Sequence, residues 1–176
     1  DTSAPQLLRT IPDPVARFTL QDTAACAPYS FQVQDSSQNA LNYQYYLNGQ
    51  PVSTQSQPLL SLSNPTFQDS VFTLSLTLSS AAGCIDSTAQ EILVYGQTEA
   101  IFQAPNTCDG DSVFFSESSL SADSIVAYHW DFGDGTTDSI RQPYHTFGRA
   151  GLYPISLSVR DRRGCRDTLR DTLTIY

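Results

Sequence analysis

The sequence predicts an all-β protein built as two tandem β-sandwiches of about seven strands each. Three observations predict it. Apolar and polar residues alternate with a period of two, and no segment carries a helical period of useful length. Turn-forming residues punctuate these runs every eight to twelve residues or so. The whole pattern then runs a second time after a short seam at Gly96-Gln97-Thr98-Glu99.

Residues 1–14, with Pro5, Pro12 and Pro14 and little alternation, read as a linker or the end of a preceding module. A first sandwich is expected over residues 15–95. Ala16-Arg17-Phe18 opens its first strand, Tyr29 to Gln34 forms a second, and Leu41 to Leu47 a third with Tyr43, Tyr45 and Leu47 on one face. Asn48-Gly49 closes the third strand, because both central residues of a two-residue hairpin loop must accept positive φ. Pro51 to Thr54 and Leu59 to Leu62 are shorter strands. Val71 to Leu78 is long, with Phe72, Leu74, Leu76 and Leu78 facing inward, and Glu91 to Tyr95 completes the set.

A second sandwich is expected over residues 96–176, and its register against the first can be tested by spacing. Cys26, Phe31 and Val33 match Cys108, Val113 and Phe115. Tyr43, Tyr45 and Leu47 match Tyr128, Trp130 and Phe132, and Phe72, Leu74, Leu76 and Leu78 match Tyr153, Ile155, Leu157 and Val159. Gly83-Cys84 matches Gly164-Cys165, each cysteine twelve residues past its aromatic, and Ile92 and Val94 match Leu173 and Ile175.

The most informative stretch is Tyr128-His129-Trp130-Asp131-Phe132-Gly133-Asp134-Gly135. Three rings alternate with polar groups, and then two glycines flank an aspartate that can bond its own backbone, so a half-buried strand ends in a tight turn. Together with Pro143, His145-Thr146-Phe147, Gly151 and Tyr153, it closely resembles the signature of the polycystic-kidney-disease (PKD) repeat, over roughly the last eighty residues. That resemblance implies an immunoglobulin-like sandwich, with His145 at the turn before a long core strand and bonding to the backbone. The first copy departs from it, having Tyr46-Leu47-Asn48-Gly49 where the second has Asp131-Phe132-Gly133-Asp134-Gly135.

Four cysteines, two per copy at corresponding positions, allow three pairings. The repeat favours one bridge inside each copy, Cys26 with Cys84 and Cys108 with Cys165, since that gives both modules the same bond. Four reduced core thiols or a zinc site are the alternatives, although no Cys-x-x-Cys spacing is present. Disulfides imply an oxidising compartment, so a secreted or cell-surface location is expected. The lack of an initiator methionine and of a signal peptide reads as an excised mature segment.

Both copies are acidic: residues 1–95 carry 2 Arg against 7 acids, net −5, and residues 96–176 carry 7 Arg against 11, net −4. Such a field repels polyanions, so nucleic acid is not an expected partner. There is no lysine, which removes Schiff-base chemistry and the usual phosphate-loop cation. No apolar run approaches the roughly 20 residues that span a bilayer.

Asp131 and Asp134 are the candidate calcium ligands, with turn chemistry as the competing explanation; no other cofactor is expected. His129 is placed beside Asp131 on the outward face as an ion pair. Neither Gly-x-Ser-x-Gly nor His-Glu-x-x-His is present, so no catalytic residue is expected. Arg160, Arg162, Arg163, Arg166 and Arg170, interleaved with Asp161, Asp167 and Asp171, read as a self-compensated hairpin tip. Tyr46 and Tyr144 are the candidate binding residues, able to stack on sugars if exposed. Repeated triplets such as Asp86-Ser87-Thr88 and Asp167-Thr168-Leu169 look like bacterial O-glycosylation sites, although strand starts rich in Asp, Ser and Thr produce such triplets by chance.

The expected function is a non-catalytic extracellular spacer or adhesion pair within a larger bacterial protein. Its partners would be other domains of the same chain and a protein or polysaccharide surface. The alternative is an accessory carbohydrate- or protein-binding module of a secreted hydrolase.

Overall fold

The structure is a computed structural model that describes residues 12–176, so nearly all of the linker expected over residues 1–14 lies outside the described residues. Every regular element described is a strand. From the N-terminus they are β1 (Phe18–Thr19), β2 (Ala24–Cys26), β3 (Tyr29–Gln32), β4 (Gln34–Asp35), β5 (Asn42–Leu47), β6 (Gln50–Ser53), β7 (Leu59–Leu62), β8 (Ser70–Ser79) and β9 (Ile85–Tyr95). There follow β10 (Thr98–Glu99), β11 (Phe102–Gln103), β12 (Ser112–Phe114), β13 (Ser116–Glu117), β14 (Leu120–Ser121), β15 (Ile125–Asp131), β16 (Thr137–Asp138), β17 (Tyr144–Thr146), β18 (Gly151–Asp161) and β19 (Arg166–Ile175). Among the described residues no helix is long and apolar enough to cross a membrane.

The backbone packs into two compact units. The first comprises residues up to Ala24, Ser30–Leu62 and Val71–Leu93; the second comprises Ala25–Tyr29, Ser63–Ser70 and Val94–Tyr176.

In the first unit the main sheet has the order β2-β9-β8-β5-β6, with β1-β4 and β3-β7 as two-stranded pairs. β5 and β6 are joined at Asn48 and Gly49, whose φ of 48° and 79° are the left-handed pair that such a loop requires. Phe18, Phe31, Val33, Tyr45, Leu62, Leu74, Leu76, Leu78 and Ile92 are buried, so the period-two pattern of β8 does put one face into the core.

In the second unit the main sheet is β16-β15-β18-β19, and β12-β17, β11-β13 and β10-β14 supply the opposing pairs. Trp130 is fully buried at the centre of the core, edge-on to Phe102 at 5.2 Å and 5.3 Å from Phe115. Phe132, Phe147, Ile155, Leu157, Val159, Leu173 and Ile175 complete that core.

Corresponding residues do the same work in each unit. Tyr45 meets Phe18 edge-on at 5.9 Å and donates its hydroxyl to Ser56 O at 3.0 Å; Trp130 meets Phe102 edge-on and donates Nε1 to Ile140 O at 3.0 Å. Each buried ring thus ties its strand to a loop, the one between β6 and β7 in the first unit and the one between β16 and β17 in the second. The strand expected to open at Ala16-Arg17-Phe18 proves shorter, its counterpart in the second unit is as short, and the reason is visible. Ala16 N donates to Asp86 Oδ2 at 2.7 Å and Arg17 N to Ser37 Oγ, while Ala100 N donates to Asp167 Oδ2 at 2.8 Å and Ile101 N to Ser119 Oγ. Side-chain acceptors stand in for ladder partners of these amides, so the ladder is interrupted between the Val15–Gln38 bridge and Phe18 and between β10 and Phe102.

The cysteine pairing expected from the repeat is wrong. Cys26 is bonded to Cys165, both inside the second unit, and Cys84 and Cys108 are free and exposed. In the second copy the within-copy bridge fails on distance. Cys165 immediately precedes β19, whereas Cys108 follows Thr107, which bridges Ile175 at the far end of that strand. Ten residues of extended chain put the two ends about 30 Å apart, against the 4.4–6.8 Å that Cα atoms of a bridge span.

Candidate functional site

The signature turn of the second unit is where titratable side chains converge. β15 delivers Trp130 inward and Asp131 outward, and Gly133 and Gly135 reverse the chain with φ of 72° and 89°. A side chain at Gly133 is sterically impossible without rearrangement: a Cβ there would lie 2.6 Å from Pro154 Cδ and 2.7 Å from Pro154 O.

Asp134 is the hub of this turn. Its Oδ1 accepts from Thr136 N at 2.9 Å and from Thr136 Oγ1 at 2.6 Å, and its Oδ2 lies 2.7 Å from His145 Nε2. Burial pushes the Asp134 carboxyl up, yet the bonds from Thr136 and His145 together outweigh it and hold the group below the ordinary carboxylate value. β17 places His145 opposite Val113 of β12, and its ring stacks on Phe132 at 4.1 Å and meets Phe147 edge-on at 4.6 Å. His145 therefore bonds a carboxylate, where a backbone partner was expected. Tyr153, the third residue of β18, packs on Phe147 at 4.3 Å and donates to Arg149 O at 2.8 Å; Gly151 opens that strand.

These residues do not fit a calcium ion. Asp131 Oδ1 accepts from Gly133 N at 2.9 Å, both oxygens of Asp134 are engaged, and among the described residues no three His, Cys, Asp or Glu side chains converge on a point. Calcium needs six to eight oxygens from several segments. The expected His129–Asp131 ion pair is not among those formed by the described residues. Alternation puts both on the outer face, where water competes for each.

The arginine-rich hairpin is more specific than a self-compensated tip. Asp161 is 1% exposed, accepting from Cys165 N at 2.8 Å and from Ser121 Oγ at 3.2 Å. Arg163 reaches out of the hairpin to both oxygens of Asp69, comes within 3.4 Å of Asp123, and lies 4.8 Å over the Tyr95 ring. Arg163 first, then Gly96 N, depress the Asp69 carboxyl. The second buried carboxylate, Glu117, accepts from Ser119 N at 2.6 Å and Arg141 Nε at 2.7 Å. Asp86 and Asp167, members of the triplets read as glycosylation signals, serve as the backbone acceptors described above.

Of the two candidate binding tyrosines, Tyr46 is half-buried within β5. Tyr144 is 69% exposed and pairs with Phe114, itself 37% exposed, at 4.9 Å between ring centres. Phe114 was not singled out from the sequence, although the signal exists. With Val113 and Phe115 both inward, alternation forces Phe114 outward, next to Tyr144 in the β12–β17 register.

Comparison with known proteins agrees with this geometry. The profile of the family described as PKD domain matches residues 97–175. A microbial collagenase of Vibrio alginolyticus is 43% identical over 68 residues, 38% of this chain and 8% of the relative. The PKD1 domain of Vibrio anguillarum Epp is 35% identical over 45% of this chain and 93% of its own, with a TM-score of 0.42. The insect immune protein hemolin, 13% identical, aligns over the whole chain and 49% of its own length with a TM-score of 0.51, a likeness of fold. The chain spans less than a tenth of the length of the curated relatives it matches, between 5% and 8% for the first three. Its signature turn, buried tryptophan and matching profile agree: through residues 97–175 the chain belongs to the PKD domain family.

Proposed function

We propose that this chain is a non-catalytic segment of a secreted or surface-exposed bacterial protein, acting as a spacer or adhesive stalk between other domains. The observation that carries the reading is the state of its polar groups at the signature turn. Asp134, Thr136 and His145 are in mutual contact in an arrangement that resembles a catalytic triad, but every bond they make braces the turn. A nucleophile needs a free face and a base aimed at it, whereas Thr136 Oγ1 bonds Asp134 at 2.6 Å and is only 3.5 Å from His145 Nε2, which itself lies 2.7 Å from the same carboxylate. The collagenase relative supports a place alongside catalytic domains without conferring their chemistry on this segment.

One observation favours a second reading, in which the chain presents a polymer to a neighbouring hydrolase. The Phe114–Tyr144 pair offers two adjacent aromatic faces to solvent, the kind of platform on which a sugar ring or a proline-rich strand stacks. Co-sedimentation of the purified chain with insoluble collagen and with chitin separates the two. A spacer stays in the supernatant with both. Pelleting that disappears in Tyr144→Ala, with the fold intact by circular dichroism, would replace the spacer reading with the second; pelleting that survives would overturn the passive spacer and the Phe114–Tyr144 platform alike.

A further inference from the structure

The two free thiols are the repeat counterparts of the two bonded ones. Cys108 corresponds to Cys26 and Cys84 to Cys165, so the Cys26–Cys165 bond joins the early cysteine of one sequence repeat to the late cysteine of the next. The local structure around the late cysteines is shared. Ser80 N donates to Cys84 O and Gly83 N to Ser80 O; Asp161 N donates to Cys165 O and Gly164 N to Asp161 O, at 2.9–3.2 Å throughout. Both turns use a glycine at positive φ, 83° for Gly83 and 96° for Gly164. Cys84 thus sits on the same scaffold that presents Cys165 to its partner.

The two turns differ in one respect. The carboxylate of Asp161 is bonded to Cys165 N and Ser121, whereas its counterpart Ser80 is 5% exposed and its Oγ has no hydrogen-bond partner. At the other end, the backbone of the Cys108 segment is anchored: Asp109 N donates to Tyr176 O and Gly110 N to Phe147 O, leaving the thiol outward on a fixed loop. An early-type thiol and a late-type thiol, both exposed and both on ordered backbone, are complementary halves of a bond the chain already makes once.

We propose that Cys84 and Cys108 are linkage sites for further repeats of this kind: Cys84 takes an early cysteine and Cys108 takes a late one, each new bond copying Cys26–Cys165. The result is a ladder of disulfides running from each repeat to the next. A small-molecule disulfide is the oxidant. The thiolate of Cys84 attacks one of its sulfurs and expels one small thiol; the early-cysteine thiolate of the neighbouring repeat then attacks the protein-bound sulfur and expels the second. Two protein thiols lose two protons and two electrons, and the small disulfide is reduced to two thiols.

The complementarity can be read with this chain as its own partner. Cys84→Ser and Cys108→Ser, one of them isotopically labelled, are mixed in equal amounts in a glutathione redox buffer, and the dimers are resolved by mass and peptide mapping. Random coupling would make half of the dimers mixed. The ladder predicts mixed dimers, Cys84 of one chain to Cys108 of the other, in about tenfold excess over like-with-like ones, the ratio that ~1.4 kcal/mol of preference produces. It also predicts that the parent chain extends into longer oligomers in the same buffer, with Cys26–Cys165 intact. Mixed dimers at or below the random share, no dimer once both thiols are capped by glutathione, or a Cys84–Cys108 bond closed inside one chain would each overturn the proposal.

Discussion

Asp134 shows how a residue that looks functional comes to be structural. Its carboxylate accepts three contacts from two side chains and a backbone amide, and these hold its pKa below the unfolded value although burial opposes them. A carboxyl depressed in the native state stabilises the fold fully above its unfolded pKa of about 3.9, and that contribution is lost as pH falls through the lower native value. Urea midpoints measured from pH 7 downward should therefore decline below about pH 4, and Asp134→Asn should flatten the decline while lowering stability at pH 7 by about 1–2 kcal/mol. Some slope will remain in the variant, because Asp69 is also depressed by Arg163 and Gly96 N. An acid profile identical to that of the parent would show that the Asp134 bonds do not form in solution. Of the residues singled out from the sequence, Asp131 and Asp134 were legible as turn-formers because the flanking glycines leave few other uses for them. The contact of Asp134 with His145 was not legible, since it depends on β12 and β17 bringing position 145 beside position 134.

At the scale of the strand and its turn, two glycines of one motif carry different loads. Gly133 and Gly135 both have positive φ, which costs any L side chain about 1–2 kcal/mol. Only Gly133 is also closed in by Pro154, whereas nothing lies within 4 Å of a Cβ on Gly135. Gly135→Ala is expected to lose about 1 kcal/mol and Gly133→Ala about 3 or more, read from chemical denaturation at constant m. Equal losses would mean that φ alone decides and that the approach of β18 is unimportant. Strand existence was the most legible level of this fold, because alternation fixes which of Leu74, Leu76, Leu78, Ile155, Leu157 and Val159 face in. Strand length was less so: the opening strands are cut short by Asp86, Asp167, Ser37 and Ser119, whose partners lie as far as 70 residues away in sequence. The likeness of the first copy to the second was visible in spacing despite its missing signature, and Tyr45 does stand where Trp130 stands, down to the bond from its polar tip.

Over the whole molecule the covalent link is what the sequence could not reveal. Repeat register shows which cysteines are equivalent, but equivalence does not say which two meet, and strand length forbids the pairing that symmetry suggested. The bond that does form spans 139 residues, for which the chain-entropy model gives about 5 kcal/mol if the entire loop unfolds at once. Two compact units need not unfold together, and a loop already shortened by a folded neighbour gains less, about 2–4 kcal/mol. Trp130, the only tryptophan and fully buried in the second unit, reports that unit alone by fluorescence. Cys165→Ser should therefore lower the stability reported by Trp130 by about 2–4 kcal/mol, while Cys84→Ser, at an exposed thiol, should leave it within about 0.5 kcal/mol of the parent. If instead Cys165→Ser left the Trp130 transition within about 0.5 kcal/mol of the parent, the Cys26–Cys165 bond would not be the one that holds this unit in solution.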